Sequence, residues 1–336
     1  MGRQGAYILG PHGPLLSDRE AGFFREADPW GFILFQRNCR SPDQLRRLTD
    51  ALRASVGRDA PILIDQEGGR VQRMRAPHWR EYLPPLDQVE RAGEDAARAM
   101  YLRACLIGAE LRDVGIDVNC IPSCDIATKQ THAFLRNRCY GTSAGQVTAN
   151  AKATADGLMA AGCLPVMKHA PGHGRASLDS HFELPRIDVP LSELMATDFA
   201  PFRALGDLPM AMTAHIVIPE VDPSRPVTQS SEGVALLRQS LGIRGLLMTD
   251  DISMNALEGT VVERGQRALQ AGCDLVLHCN GNLDEMIALP DALGSMTADA
   301  AARADAALAA KRSPEAIDIR ALETELEALQ AGVSHA

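Results

Sequence analysis

Short apolar runs recur along the chain, with longer helix-like stretches between them. The runs are Ala6–Leu9, Gly31–Phe35, Pro61–Asp65, Asp117–Pro122, Leu164–His169, Met210–His215, Gly245–Asp250 and Asp274–His278. Nearly continuous hydrophobicity, rather than alternation, predicts strands buried on both faces of a parallel sheet. The intervening segments carry helix signals. Ser41-Pro42-Asp43 places a capping serine before a proline at the first helical position. Glu94–Val114 and Ala144–Ala161 are long and alanine-rich, and Gly162 and Gly272 stand just before strands, where a C-cap glycine belongs. Eight such repeats predict an α/β fold, a TIM (β/α)8 barrel, with a doubly wound sheet as the competitor.

No low-complexity linker divides the chain, so residues 1–336 are expected to form a single domain. The alanine-rich tail, about 297–336, is expected to supply terminal helices packed outside the barrel, with Ser313-Pro314-Glu315 capping the last. An apolar fraction of 46% with 23% charged residues suits a soluble globular protein, and a net charge of −9 argues against a nucleic-acid partner. No run approaches the ~20 apolar residues of a membrane span. The first ten residues, MGRQGAYILG, lack a secretory segment, and Ala6 spoils a myristoylation motif. The cysteines at 39, 105, 120, 124, 139, 163, 273 and 279 form no CxxC pair, which points to reduced, mostly buried thiols in a cytoplasmic protein.

Polar residues change this picture from fold to chemistry. Arg37, Asp65, Asp125, Lys168 with His169, His215, Asp250 and His278 stand at or just past the ends of predicted strands. In a barrel those ends converge on one mouth, where active sites are built. The window from Lys168 to His181, KHAPGHGRASLDSH, adds His173, Asp179 and His181 on an irregular path. Asp250 follows an apolar run, which suits a desolvated nucleophile kept ionised by Lys or Arg neighbours; a structural ion pair is the plainer alternative. Asp251 should point away from it and bond backbone amides. A turn at Ser180 can bring Asp179 against His181, and the carboxylate would then raise the imidazole pKa and favour general-acid work. His173 between Gly172 and Gly174 is expected to shape the loop and hydrogen-bond within the turn. Gly68-Gly69 is followed by no Gly-Lys-Ser/Thr, so a phosphate-binding loop is excluded.

The window resembles the KH-x-PGHG…D-x-H signature of the bacterial β-N-acetylglucosaminidases of glycoside hydrolase family 3. DQEGGRVQR at 65–73, NRCYG at 137–141 and TDDISM at 249–254 match in order. The resemblance implies retaining hydrolysis of terminal β-linked N-acetylglucosamine through a covalent glycosyl-enzyme. Asp250 aligns with the nucleophile, His181 with the acid/base and Asp179 with its charge partner. Asp65, Arg73, Arg138, Lys168 and His169 align with residues that hold the sugar. Ala170 stands where phenylalanine is common, and Cys139-Tyr140 where Ser-Phe is usual; Ala170 is expected to loosen the loop. The single-domain branch is favoured over β-glucosidases with a second domain. The resemblance further implies a cytoplasmic role in cell-wall recycling on anhydro-muropeptides, with neither metal nor cofactor and with no membrane partner. Competing readings are a metal-dependent barrel hydrolase using His169, His173, His215, His278 and Asp250, and a barrel that binds sugar or muropeptide without turnover. The sequence specifies neither the aglycone nor an oligomeric state.

Overall fold

The computed structural model describes residues 4–176 and 184–331. Among them, eight strands run parallel and close into a barrel in chain order. They are β1 (Gly5–Leu9), β2 (Pro29–Leu34), β3 (Ile62–Ile64), β4 (Val118–Asn119), β5 (Leu164–Ala170), β6 (Met210–Thr213), β7 (Leu246–Asp251) and β8 (Leu275–His278). Every predicted run overlaps one. Closure is made by β1 pairing with β8, Leu9 opposite His278.

The continuous hydrophobicity has a geometric cause. Ile8, Ile33, Leu63, Leu164, Val166, Leu246 and Met248 fill the barrel interior. Their chain neighbours Leu9, Phe32, Leu34, Ile62, Ile64, Met167 and Leu247 belong to a separate cluster beneath the outer helices. Side chains alternate between two faces, and both faces are dry, so strand positions are mainly apolar and a polar one such as Thr249, which accepts from Leu277 N, needs a partner.

The helices begin where capping chemistry allows. α1 (Asp18–Ala27) starts from a Ser17–Glu20 capping box, and α2 (Pro42–Val56) from the Ser41 hydroxyl with proline in its first turn. α3 (Pro85–Ala92) and α4 (Ala96–Asp113) follow β3. The predicted helix over 94–114 thus opens later, at Ala96, after a 3-10 turn at Gly93–Asp95. The helix Ala144–Ala160 is as expected, and Gly162 and Gly272 take positive φ of 83° and 111° behind helix ends.

The tail differs from expectation in two ways. The helix Ala298–Ala309 closes the lower mouth of the barrel instead of packing outside it. Ala300, Ala304 and Ala307 join the interior cluster. Arg303 pairs with Asp274 at the entry to β8, and Lys311 just beyond the helix pairs with Asp117 at the entry to β4. Strands four and eight face each other across an eight-stranded ring, so this connection crosses the floor. The final helix, Ile319–Gln330, is capped by Asp318, whose carboxylate accepts from Arg320 N and Ala321 N at 3.0 and 3.2 Å. Ser313-Pro314-Glu315 is a linker, because Glu315 N is committed to Ala160 O at 2.9 Å.

Ala304→Asp places a carboxylate without a partner in this floor. It should destabilise by about 2 kcal/mol or more, read by urea unfolding at pH 7. Unchanged stability would show that the floor is not packed as described.

Candidate active site

β3 ends at Ile64 and the chain turns sharply through Asp65-Gln66-Glu67-Gly68-Gly69. Gly68 adopts φ +99°, and a Cβ there would meet the Arg103 Nη2 atom at 1.9 Å. The turn can therefore be made only by glycine, and it delivers two carboxylates, Asp65 and Glu67, to the barrel mouth. β5 brings the cation between them. Lys168 follows Leu164 and Val166 in the inward register, and a register shift between Met167 and Ala170 lets the next residue, His169, reach the mouth as well. Arg138 comes from the segment after the short helix Ala133–Arg136.

These groups form one continuous chain of opposite charges. Arg73 Nη2 donates to Asp65 Oδ2 at 2.9 Å, and Lys168 Nζ to Asp65 Oδ1 at 2.9 Å and Glu67 Oε1 at 2.5 Å. Arg138 grips Glu67 with two parallel bonds of 2.8 and 2.9 Å, then reaches His169 Nε2 at 3.3 Å. That nitrogen accepts, so the ring proton sits on Nδ1 and is donated to Asp125 Oδ2 at 2.6 Å. Asp125 Oδ1 in turn accepts from His173 N at 2.6 Å.

Burial alone would neutralise these carboxyls, but the cations beside them prevail. Burial pushes Glu67 up, yet Arg138 and Lys168 bring it down to about 2. Burial likewise opposes ionisation of Asp125, and the His169 imidazole brings it to about 2. Asp65 lies well below the carboxylate range because Lys168 and Arg73 outweigh its burial. Lys168 is raised in return by Asp65 and Glu67, against a desolvation that favours the neutral amine.

Across the cavity, Asp250 and Asp251 end β7. Asp251 N–H donates to Asp250 Oδ1 at 2.8 Å, while Asp250 Oδ2 has no partner among the described residues. Asp250 stays ionised despite burial, helped by His169, His215 and the Asp251 amide. Asp251 turns away and braces the backbone, accepting from Ser253 N at 2.9 Å and Cys279 N at 3.1 Å. His215, whose pKa is lowered by burial, donates Nε2–H to the Asp251 carbonyl at 3.1 Å and is held by Thr228 at 2.8 Å.

Asp65, Arg73, Arg138, Lys168, His169 and Asp250 thus surround one cavity of about 200 Å³. Four other strand-end residues do not line it, and Asp125 is one, fully buried behind His169. His215 lies behind β7, His278 pairs with Glu285 at 3.1 Å, and Arg37 ties the Pro11 and Cys279 carbonyls together. Asp179 and His181 lie outside the described residues. His173 lines the cavity, but its expected bond within the turn comes from the backbone; both ring nitrogens lack partners among the described residues, and burial first, then His169, lowers its pKa to about 4. Ala170 is fully buried in the outer cluster. Glu67 is the residue that strand-end reasoning misses, although its spacing of two from Asp65 is the signal that finds it. Among the described residues no group of three or more His, Cys, Asp or Glu is arranged to hold a metal ion, and no helix is long and apolar enough to cross a membrane.

The mouth of this parallel barrel sets Asp250, with one oxygen unpartnered among the described residues, opposite a set of fixed charges, an arrangement that fits a glycoside hydrolase. The pattern of the glycosyl hydrolase family 3 N terminal domain matches residues 27–309, and the chain belongs to that family. A beta-hexosaminidase of Methylococcus capsulatus is 38% identical over 273 residues, 80% of each chain. Another from Alkalilimnicola ehrlichii is 38% identical over 283 residues, 82% of this chain and 81% of its own. Among solved structures, NagZ from Neisseria gonorrhoeae in complex with N-trifluoroacetyl-D-glucosamine superposes with a TM-score of 0.84 at 29% identity, covering 98% of this chain and 97% of that one. A family 3 beta-N-acetylglucosaminidase from Paenibacillus gives a TM-score of 0.85 at 29% identity, over 97% of this chain and 67% of that one. The chain is a glycosidase of the beta-N-acetylhexosaminidase type.

Glu67→Gln tests the charge chain. It leaves Lys168 and Arg138 buried with one counter-charge fewer and should cost about 3–5 kcal/mol at pH 7 by urea unfolding. Glu67 is depressed from 4.5 to about 2 in the fold, so its contribution is complete above pH 4.5 and disappears as pH falls toward 2. The variant's stability should therefore fall less steeply over that window. A wild-type acid limb in Glu67→Gln would show that Glu67 does not hold the cations.

Proposed function

We propose that the protein is a retaining exo-β-N-acetylglucosaminidase that removes terminal, non-reducing β-linked N-acetylglucosamine. The observation that carries this reading is Asp250, with one oxygen braced by a backbone amide and the other without a partner among the described residues, in a cavity edged by fixed charges. An ionised carboxylate held that way is prepared to attack an anomeric carbon. A cavity of about 200 Å³ suits one sugar ring, which favours cleavage from a chain end.

In the first step Asp250 bonds to the anomeric carbon while the C–O bond to the aglycone breaks. His181, positioned by Asp179, gives its proton to the departing oxygen. In the second step His181 takes a proton from water, whose oxygen bonds to the anomeric carbon as the Asp250 ester bond breaks. Most glycosidases use two carboxylates for these roles. The histidine and its partner are assigned from the resemblance of the 168–181 window, and Asp65, Arg73, Arg138, Lys168 and His169 are the proposed sugar ligands. N-trifluoroacetyl-D-glucosamine bound to the Neisseria neighbour supports an N-acylated glucosamine as the sugar. The further reading is a cytoplasmic enzyme of peptidoglycan recycling, acting on anhydro-muropeptides with one barrel domain and no cofactor.

Turnover of 4-nitrophenyl β-N-acetylglucosaminide should far exceed that of the β-glucoside and should survive a chelator; the reverse preference would sink the assignment. Asp250→Ala should lose at least ~10³-fold in kcat, about 4 kcal/mol of barrier, with the fold retained by circular dichroism. His181→Ala should lose ~10²–10⁴-fold on substrates with poor leaving groups and much less on activated aryl glycosides. Equal losses on both would remove His181 from the acid role.

A further inference from the structure

We propose that Arg103, on the outer helix α4, is a positioning residue for sugar binding: its buried guanidinium clamps the Asp65–Gly69 turn that aims the Lys168 and Arg138 cations. The inference rests on the functional reading above, since it concerns how the same sugar is held.

Arg103 is an anomaly on its helix. α4 packs its alanines, leucines and Ile107 against the barrel, yet Arg103 lies on the buried side with 2% exposure. Among the described residues it makes no ion pair with a carboxylate. Burying a guanidinium without a counter-charge is costly, and the burial lowers its pKa. What it meets instead is backbone. Nη2 donates to the Glu67 carbonyl at 2.5 Å and to the Leu83 carbonyl at 2.6 Å. The guanidinium carbon sits 5.5 Å from the centre of the Tyr82 ring.

These contacts converge on one short turn. Gly69 N–H donates to Tyr82 O at 2.8 Å, so the turn and the 82–83 segment already touch, and Arg103 ties them together a second time. The steric record agrees. Gly68 presents a bare Cα face to Nη2, and any side chain there would occupy the guanidinium's place. Glu67 is thus held at its carbonyl by Arg103 and at its carboxylate by Arg138 and Lys168. Loosening the first hold lets the second drift, and with it the cations that would meet sugar hydroxyls. Arg103 itself does not line the cavity, so it acts through Glu67 and Asp65. Asp250 is braced separately on β7 by Asp251 and should be unaffected. The signature of positioning is therefore a change in KM with little change in kcat.

The test is steady-state hydrolysis of 4-nitrophenyl β-N-acetylglucosaminide by the full chain and its variants, well below their melting temperatures. Arg103→Met should raise KM about tenfold, the scale of losing a charged hydrogen bond. Its kcat should stay within about threefold, because interactions lost equally from ground and transition states leave kcat alone. The inhibition constant of free N-acetylglucosamine should weaken by the same factor. Arg103→Lys, which can reach one of the two carbonyls, should fall between. Arg112→Met is the control: it lies on the same helix but donates to Ala161 O, away from the turn, and should lower Tm without moving KM. An unmoved KM in Arg103→Met, whatever its Tm, overturns the proposal, as does an equal loss in kcat. If Arg103→Met does not fold, Arg103→Lys decides alone by the same criterion. Wild-type protein inactive on the aryl substrate would overturn the functional reading and this inference with it, whereas active wild type with unmoved KM overturns only the inference.

Discussion

Everything at the barrel mouth depends on one buried ammonium, that of Lys168, shared between Asp65 and Glu67. A lysine enclosed to this degree would ordinarily give up its proton, and a lone enclosed carboxylate would take one. Placed together, each removes the reason for the other to neutralise. The consequence extends beyond stability. Because Asp65 is also held by Arg73, and Glu67 by Arg138, the charges form a chain in which no member can rotate without leaving another unpaired. Under the proposed function, a sugar would meet donors and acceptors already fixed in direction, with little ordering left to be done on binding. Breaking one link exposes a buried charge, so the chain is strong as a whole and intolerant of single losses.

The scaffold separates this mouth from the parts that hold the barrel shut. The strand centres are mainly apolar, inward and outward alike, and their few polar side chains, such as Asn119 and Thr249, are uncharged and buried. Charges are therefore confined to the two ends. At the lower end Asp117 and Asp274 anchor a helix across the opening, and at the upper end the strand termini supply the site. The floor carries alanines because a helix lying across a narrow barrel end must approach closely, and larger side chains would hold it off.

That separation explains how much of the molecule is legible in the sequence. The strands are legible because two dry faces impose a continuous apolar run, and Asp250 and Asp251 diverge because successive residues of a strand face opposite ways. The destinations of His215 and His278 are not legible. Both stand at strand ends, as Lys168 does, yet standing there does not determine whether a side chain turns into the mouth or behind it. That choice is made by partners outside the strand itself, Thr228 for His215 and Glu285 for His278. Glu67 is hidden for a related reason: it follows a turn, and only the extended spacing from Asp65 reveals that the two carboxylates share a cation. At the tail, Ser313 has the residue type of a cap, but Asp318 takes the role because the link to Ala160 holds Glu315 away from helical pairing.

The two halves of the site are built independently, which bears on how binding and chemistry divide. The charges proposed to hold the sugar come from the β3 turn, β5 and the segment around Arg138, and they support one another. The proposed nucleophile, Asp250, comes from β7, where the Asp251 amide, the Ser253 and Cys279 amides and the His215 imidazole form a separate brace. Contact between the halves is mainly electrostatic: Lys168 helps keep Asp250 ionised. This arrangement reconciles two opposed demands. A nucleophile is most reactive when poorly solvated, yet desolvation pushes its proton back on. Cations placed across the cavity keep Asp250 charged without bonding to its open oxygen, so ionisation is secured while the attacking lone pair stays free. A direct salt bridge would satisfy the first demand and defeat the second. The separation of the two halves is therefore a requirement of the chemistry, and the barrel meets it by drawing them from different strands.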